Sequence, residues 1–194
     1  RGKLVPLTQV LRQADQDVVA PRGQVGRQGR MNVAALVVPA FGYGPPAERS
    51  LAPVIDDGER VRIVTEHPKD GRELVLEMGI AEGRAVMSYG LRNFPDGEIF
   101  TSPNANSTEG EIFVDLPVNY GGNDISGIYL RFEGGAIVEY AADEGQEHLA
   151  AIIETDEGSH RLGEVALGMN PGLDRVLKHP LFVEKVGGTL HIAI

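Results

Sequence analysis

From Glu59 onward, apolar and polar positions alternate in short runs broken by glycine and proline. RVRIVTE (60–66), RELVLEMG (72–79), RAVMSYG (84–90) and GEIFVDLP (110–117) follow the two-residue period of a strand. EIFTSP (98–103) follows the turn-rich RNFPDGE (92–98) and reads as a further strand. In GIYLRFEGGAIVEYAA (127–142), two alternating runs flank Gly134-Gly135, a two-residue loop suited to a primed hairpin turn. The period then changes. EGQEHLAAIIE (144–154) sets Leu149, Ile152 and Ile153 at helical spacing, with Asp143 as the expected N-cap. SHRLGEVALGMNPGL (159–173) combines a short turn with a glycine-rich strand or loop. LFVEKVGGTLHIAI (181–194) predicts a strand, a Gly-Gly break and a second strand.

Before Glu59 the pattern is weaker. LTQVLRQAD (7–15) has the spacing of a short helix, MNVAALVVPAFGYGPP (31–46) holds one apolar run suited to a single strand, and AERSLAPVIDDG (47–58) reads as a linker. No internal repeat or heptad is visible. The fold class expected is α+β, mostly antiparallel or mixed β-sheet with a few helices. Residues 1–58 are expected to be a poorly structured leader, linker or remnant of an N-terminal domain, and residues 59–194 the main folded unit.

Composition narrows the function classes. The chain of 194 residues is 42% hydrophobic and 24% charged, the balance of a globular domain. It has no run of eighteen apolar residues and no apolar core of a secretory signal at its start, so a cytoplasmic setting is expected, with no membrane partner. Net charge is −10, divided between +4 over residues 1–30 and −14 over the rest. An acidic body argues against a nucleic-acid partner, because phosphate neutralisation needs a basic face. The chain has no cysteine, so any metal site must use carboxylate, imidazole or water. No GxSxG marks a serine hydrolase, and the paired glycines lack the spacing of a phosphate loop.

Three groups stand out for their apolar or glycine-rich strand context: Glu98, Glu164 and His191. Each has a plain structural alternative. Glu98 can be the polar end of a hairpin, Glu164 a residue on a solvated strand face, and His191 a hydrogen-bonded core histidine. Together they suggest more. Carboxylates on neighbouring strand ends can converge on cations, with imidazole completing the shell, whereas isolated buried charges would be costly. His67, His148, His160 and His179 lack such a context, although His160 is near Glu164 in sequence.

RNFPDGEIFTSP, GEIFVDLP, TDEGSHRLGEVALGMNPGL and LFVEKVGGTLHIAI resemble, in this order, the motifs of the aminopeptidase T family of dinuclear metallo-aminopeptidases. The resemblance runs from about Glu59 to Ile194. It implies most of the metal-binding catalytic domain of that fold, and removal of N-terminal residues from peptides by water activated at two divalent ions: zinc, cobalt or manganese. It also implies Glu98, Glu164 and His191 as metal ligands, Glu164 as the group assisting proton transfer, and a homodimer. Glu184, Lys185 and Arg92 are implied as neighbours of the site, and Asn93 matches the approach to the first ligand. Family members carry a tyrosine and a His-x-Asp pair after the histidine strand, beyond the point where this sequence stops. The expectation is therefore a domain truncated at its C-terminus and inactive on its own. Two alternatives accompany this reading: a mononuclear-iron dioxygenase that cleaves dihydroxypyridine rings on a similar fold, and a catalytically inactive domain.

Overall fold

The computed structural model describes residues 6–10, 45–170, 172–173 and 179–194, with the backbone alone for 6–10, 45–47 and 180. Two five-stranded antiparallel sheets carry the fold. In the first, β1 (Pro6–Val10), β12 (Thr189–Ala193), β11 (Glu164–Gly168), β5 (Glu98–Thr101) and β4 (Val86–Ser88) lie side by side in that order. The second has the order β10 (Ala136–Ala141), β9 (Ile128–Glu133), β6 (Glu109–Val114), β3 (Glu73–Gly79), β2 (Arg60–Glu66). A small hairpin, β7 (Val118–Tyr120) and β8 (Asn123–Ile125), stands apart. The helices are α1 (Pro45–Asp56), α2 (Gln146–Ile153) and the single turn α3 (Pro180–Val183). The architecture is the expected α+β class with mostly antiparallel sheet. Among the described residues, no helix is long and apolar enough to cross a membrane.

The alternating runs become half-buried strands. β2 and β3 pair in register from Arg60↔Gly79 to Glu66↔Glu73, turning Val61, Ile63, Leu74, Leu76 and Met78 inward. The hairpin at Gly134-Gly135 forms as its sequence predicts, with φ of 57° and 82°, values that glycine adopts without strain. One hydrophobic cluster joins both sheets and two of the helices, through residues such as Phe132, Ile99, Leu190, Leu51 and Leu149.

Four local expectations change. The helix expected over 7–15 gives way at Pro6–Val10 to β1, which pairs with β12 from Pro6↔Ala193 to Val10↔Thr189; an open strand edge outweighs weak local spacing. The remainder of that stretch, and residues 31–44 of the proposed strand, lie outside the described residues. The linker over 47–58 is instead most of α1, begun by Pro45-Pro46, whose missing N–H groups cost nothing in a first turn. LFV is helical rather than extended, the N–H of Val183 reaching the carbonyl of His179 at 3.1 Å. Asp143 does not cap α2; Gly145 does, at φ 74°, while Asp143 pairs with Lys69 at 2.8 Å.

Candidate metal centre

Registers in the first sheet decide which side chains meet. Glu164 lies opposite Ala193, Ala166 opposite both His191 and Phe100, and Gly168 opposite Glu98. Residues directly opposite share a face, and so do alternate residues of one strand. Glu98, Glu164 and His191 therefore share one face, with the small Ala166 and Gly168 between them. Ile99, Val165, Leu167, Leu190 and Ile192 occupy the other and belong to the core. This explains how a histidine sits within the apolar run TLHIAI: every residue of β12 is buried, Leu190 and Ile192 toward the core and Thr189, His191 and Ala193 on the other face.

Glycine brings a second segment across that face. A Cβ on Gly168 would lie 2.2 Å from the carbonyl oxygen of Val186, 2.4 Å from Thr189 Oγ1 and 2.9 Å from the carbonyl oxygen of Glu184. Backbone bonds hold the approach: Asn170 N–H to Lys185 O at 2.9 Å, and Gly188 N–H to Gly168 O at 3.0 Å. Glu184 and Lys185 are thereby carried over the strand ends.

The resulting cluster is tight. His191, 0% exposed, has Nε2 3.0 Å from Glu164 Oε1 and 3.4 Å from Glu98 Oε2. Lys185, 1% exposed, donates to Glu98 Oε1 at 2.7 Å and also to Glu184. Burial pushes the Glu98 carboxyl up, against the opposing pull of His191 and Lys185. Burial pulls the Lys185 ammonium down, but Glu98 and Glu184 outweigh it and hold the group above its ordinary value. Lys185 is therefore a fixed positive charge.

This donor set suits a divalent cation. Glu98, Glu184 and His191 each offer a ligand atom, all within 4.8 Å of one another. Glu98 Oε2 and His191 Nδ1 are buried without a hydrogen-bond partner, although Lys185 satisfies the other oxygen of Glu98. Three carboxyl groups face a single ammonium here, so the cluster holds more acidic than basic groups and suits a cation.

The structure brings together Glu98, Glu164, His191, Glu184 and Lys185. Of these, Glu184 stands in the ligand-like position beside Glu98 and His191, where sequence reasoning made it only a neighbour. Arg92 is exposed in the loop before β5, and Asn93 is half-buried there; no hydrogen bond or ion pair ties Arg92 to the cluster. His67 packs edge-on against Phe113 and Tyr129, His148 lies beside Glu147, His160 Nδ1 is 3.4 Å from the Ile137 carbonyl, and His179 packs on Phe182. None of these joins the cluster.

Sequence reasoning missed Glu48. It is 0% exposed, on the α1 stripe that also carries Leu51, Ala52 and Ile55. An acid at i of an i, i+3, i+4, i+7 apolar stripe was the available signal. Burial chiefly, then the charges of Asp96 and Glu98, push its carboxyl up to about 7.

A family model described as thermophilic metalloprotease (M29) matches residues 71–194. Aminopeptidase T of Thermus thermophilus is 42% identical over 106 residues, covering 50% of this chain and 26% of that protein. Aminopeptidase AmpS of Bacillus subtilis is 46% identical over 77 residues, 40% of this chain and 19% of the relative. Aminopeptidase 2 of Geobacillus stearothermophilus is 41% identical over 88 residues, 44% of this chain and 21% of the relative. The chain thus matches about a quarter or less of the length of these relatives. Among solved structures, wild-type AmpT from Thermus thermophilus superposes with a TM-score of 0.51 at 37% identity, over 61% of this chain and 33% of that one. A 2,5-dihydroxypyridine dioxygenase from Pseudomonas putida KT2440 gives a TM-score of 0.53 at 18% identity, over 81% of this chain and 56% of that one, a likeness of fold alone.

Proposed function

Because the chain belongs to the thermophilic metalloprotease (M29) family, whose model matches residues 71–194, we propose that it binds divalent metal ions and serves the hydrolytic removal of N-terminal residues from peptides. The observation that carries this reading is the convergence of Glu98, Glu184 and His191 within 4.8 Å, with buried oxygen and nitrogen atoms left without partners. Glu98, Glu164 and His191 are the proposed ligands, joined by Glu184. Zinc, cobalt and manganese all suit such oxygen and nitrogen donors, and two ions are proposed. When bound, divalent cations supply Lewis acidity toward a peptide carbonyl and toward water.

The chain's own groups then divide the remaining tasks. Glu164 is more exposed than Glu98, with 17% of its side chain accessible against 7%, so it is the carboxylate that incoming water can reach. Its Oε1 is set by His191 Nε2, and it is the proposed acceptor of the proton that water gives up and donor of a proton to the departing amine. Lys185 stays charged between Glu98 and Glu184 and orients both carboxyl groups. A homodimer and a cytoplasmic setting belong to the same proposal.

Hydrolysis of leucine p-nitroanilide with added cobalt tests the reaction, in this chain and in a fusion to the segment that follows the histidine strand in family members. Release of nitroaniline by the fusion, its loss in Glu98→Gln, and no release from the N-acetylated substrate are expected. A folded, cobalt-loaded fusion with no activity would contradict the aminopeptidase reading.

A further inference from the structure

The face of the first sheet that carries the metal centre is not polar throughout. By register Val86 lies opposite Phe100, Phe100 opposite Ala166, and Ala166 opposite His191. Directly opposite residues share a face, so Val86, Phe100 and Ala166 stand on the same side as Glu98, Glu164 and His191. Phe100 follows Glu98 by two residues on β5. Val86 is the diagonal neighbour of Glu98 on β4, at a spacing of about 7–8 Å. Together they form an apolar floor that starts among the proposed ligands and runs out to β4, the edge of the sheet.

This floor is open. α1 packs on β4 and β5, but its Leu51, Ala52 and Ile55 join the core with Met87 and Ile99, on the opposite face. Val86 remains 44% exposed and Phe100 half-buried. The apolar surface continues into the loop between the two strands: Val86, Tyr89, Leu91 and Phe94 are four of the six large apolar or aromatic side chains exposed among the described residues. Charge adds a second selection. Between Glu82 and Asp96 the chain has Arg84 and Arg92, both exposed, and no acid, within a body that is otherwise acidic. An apolar wall beside a few placed polar groups is the make-up of a small-molecule site. Here it favours an uncharged aliphatic group and disfavours a cationic one.

We infer that Phe100 and Val86 select the side chain of the substrate's N-terminal residue and favour an aliphatic one. A peptide whose amine and first carbonyl lie at the metal centre has its first side chain beside Glu98, and the register places Phe100 and then Val86 next in that direction. The inference rests on the aminopeptidase reading above and names the class of N-terminal residue that the same site takes.

Calorimetric titration of the full, cobalt-loaded chain with the hydroxamates of leucine, glycine and lysine tests this without any need for turnover. The hydroxamate group is common to all three probes and chelates the cation, so the differences between them read the side chain. Wild type is expected to bind the leucine probe about 10-fold more tightly than the glycine probe, the lower end for an apolar group in a hydrophobic pocket, and the lysine probe no more tightly than glycine. Phe100→Ser and Val86→Asp should bring the leucine-to-glycine ratio close to one, and Val86→Asp should turn the preference toward lysine. Val86 is exposed on an edge strand, so its variant keeps the test decisive if Phe100→Ser fails to fold by circular dichroism. An unchanged ratio in the folded variants overturns the inference, as does equal weakening of all three probes, which assigns both residues to packing. Equal binding of leucine and glycine by wild type, or cobalt binding without hydroxamate binding, also overturns it and leaves the metal reading intact. A wild-type chain that binds no cobalt overturns both.

Discussion

Lys185 donates to Glu98 and Glu184 with 1% of its side chain exposed, so its ammonium has no water to fall back on. Lys185→Met would leave two carboxylates together without their counter-charge. Removing one partner of a buried pair typically costs about 3–5 kcal/mol, and the metal-free chain should lose stability on that scale in urea unfolding. Glu48 gives a pH dependence of the opposite origin. Its carboxyl is raised from 4.5 to about 7, so folding favours the protonated form. That contribution is complete below the unfolded value and is lost as pH rises through about 7. The metal-free chain is therefore expected to melt lower at about pH 8 than at about pH 5.5, and Glu48→Gln should remove part of the difference. An unchanged slope in that variant would contradict the burial of a titrating carboxylate at this position.

Among the elements, the junction of β11 with the segment after α3 is the most sensitive. Gly168→Ala sets a Cβ 2.2 Å from one backbone oxygen and 2.9 Å from another, so the 184–186 backbone must move. Overpacking of this kind costs about 1–3 kcal/mol. A lower melting temperature is expected, together with weaker cobalt binding, since Glu184 and Lys185 ride on the displaced segment. The corresponding change at Gly134, where a Cβ would meet nothing within 4 Å, should leave cobalt binding unchanged and cost only turn strain. Strands of six or seven residues with clear alternation, such as β2, β3 and β9, were legible in the sequence because period and burial agree. β7 and β8 were not: three residues each are too few to show a period, although Gly121 and Gly122 marked their turn with φ of 61° and 88°. β1 was illegible for another reason, since its conformation is set by pairing with β12, far away in sequence.

For the whole molecule, the two sheets share one core, and the polar cluster occupies the face of the first sheet turned away from it. Residues 31–194 carry −14 against the +4 of residues 1–30, and the buried carboxylates among them make cation binding a stabilising event. At a free cation concentration about 100 times Kd, one site adds about 2.7 kcal/mol, so chelation should lower the melting temperature and cobalt should restore it. Glu98, Glu164 and His191 could be picked out in the sequence because each interrupts an apolar or glycine-rich run. The position of Glu184 could not, because it depends on Gly168 admitting a distant turn, and Glu48 was hidden in a segment that reads as a linker.

The central claim is that Glu98 and His191 hold a divalent cation. Equilibrium dialysis of the full chain against zinc, with metal content measured after exchange, tests it most directly. The account predicts stoichiometric zinc in wild type and none retained in Glu98→Gln or His191→Ala, both remaining folded by circular dichroism. Zinc retained equally by all three proteins, or by none, would contradict it.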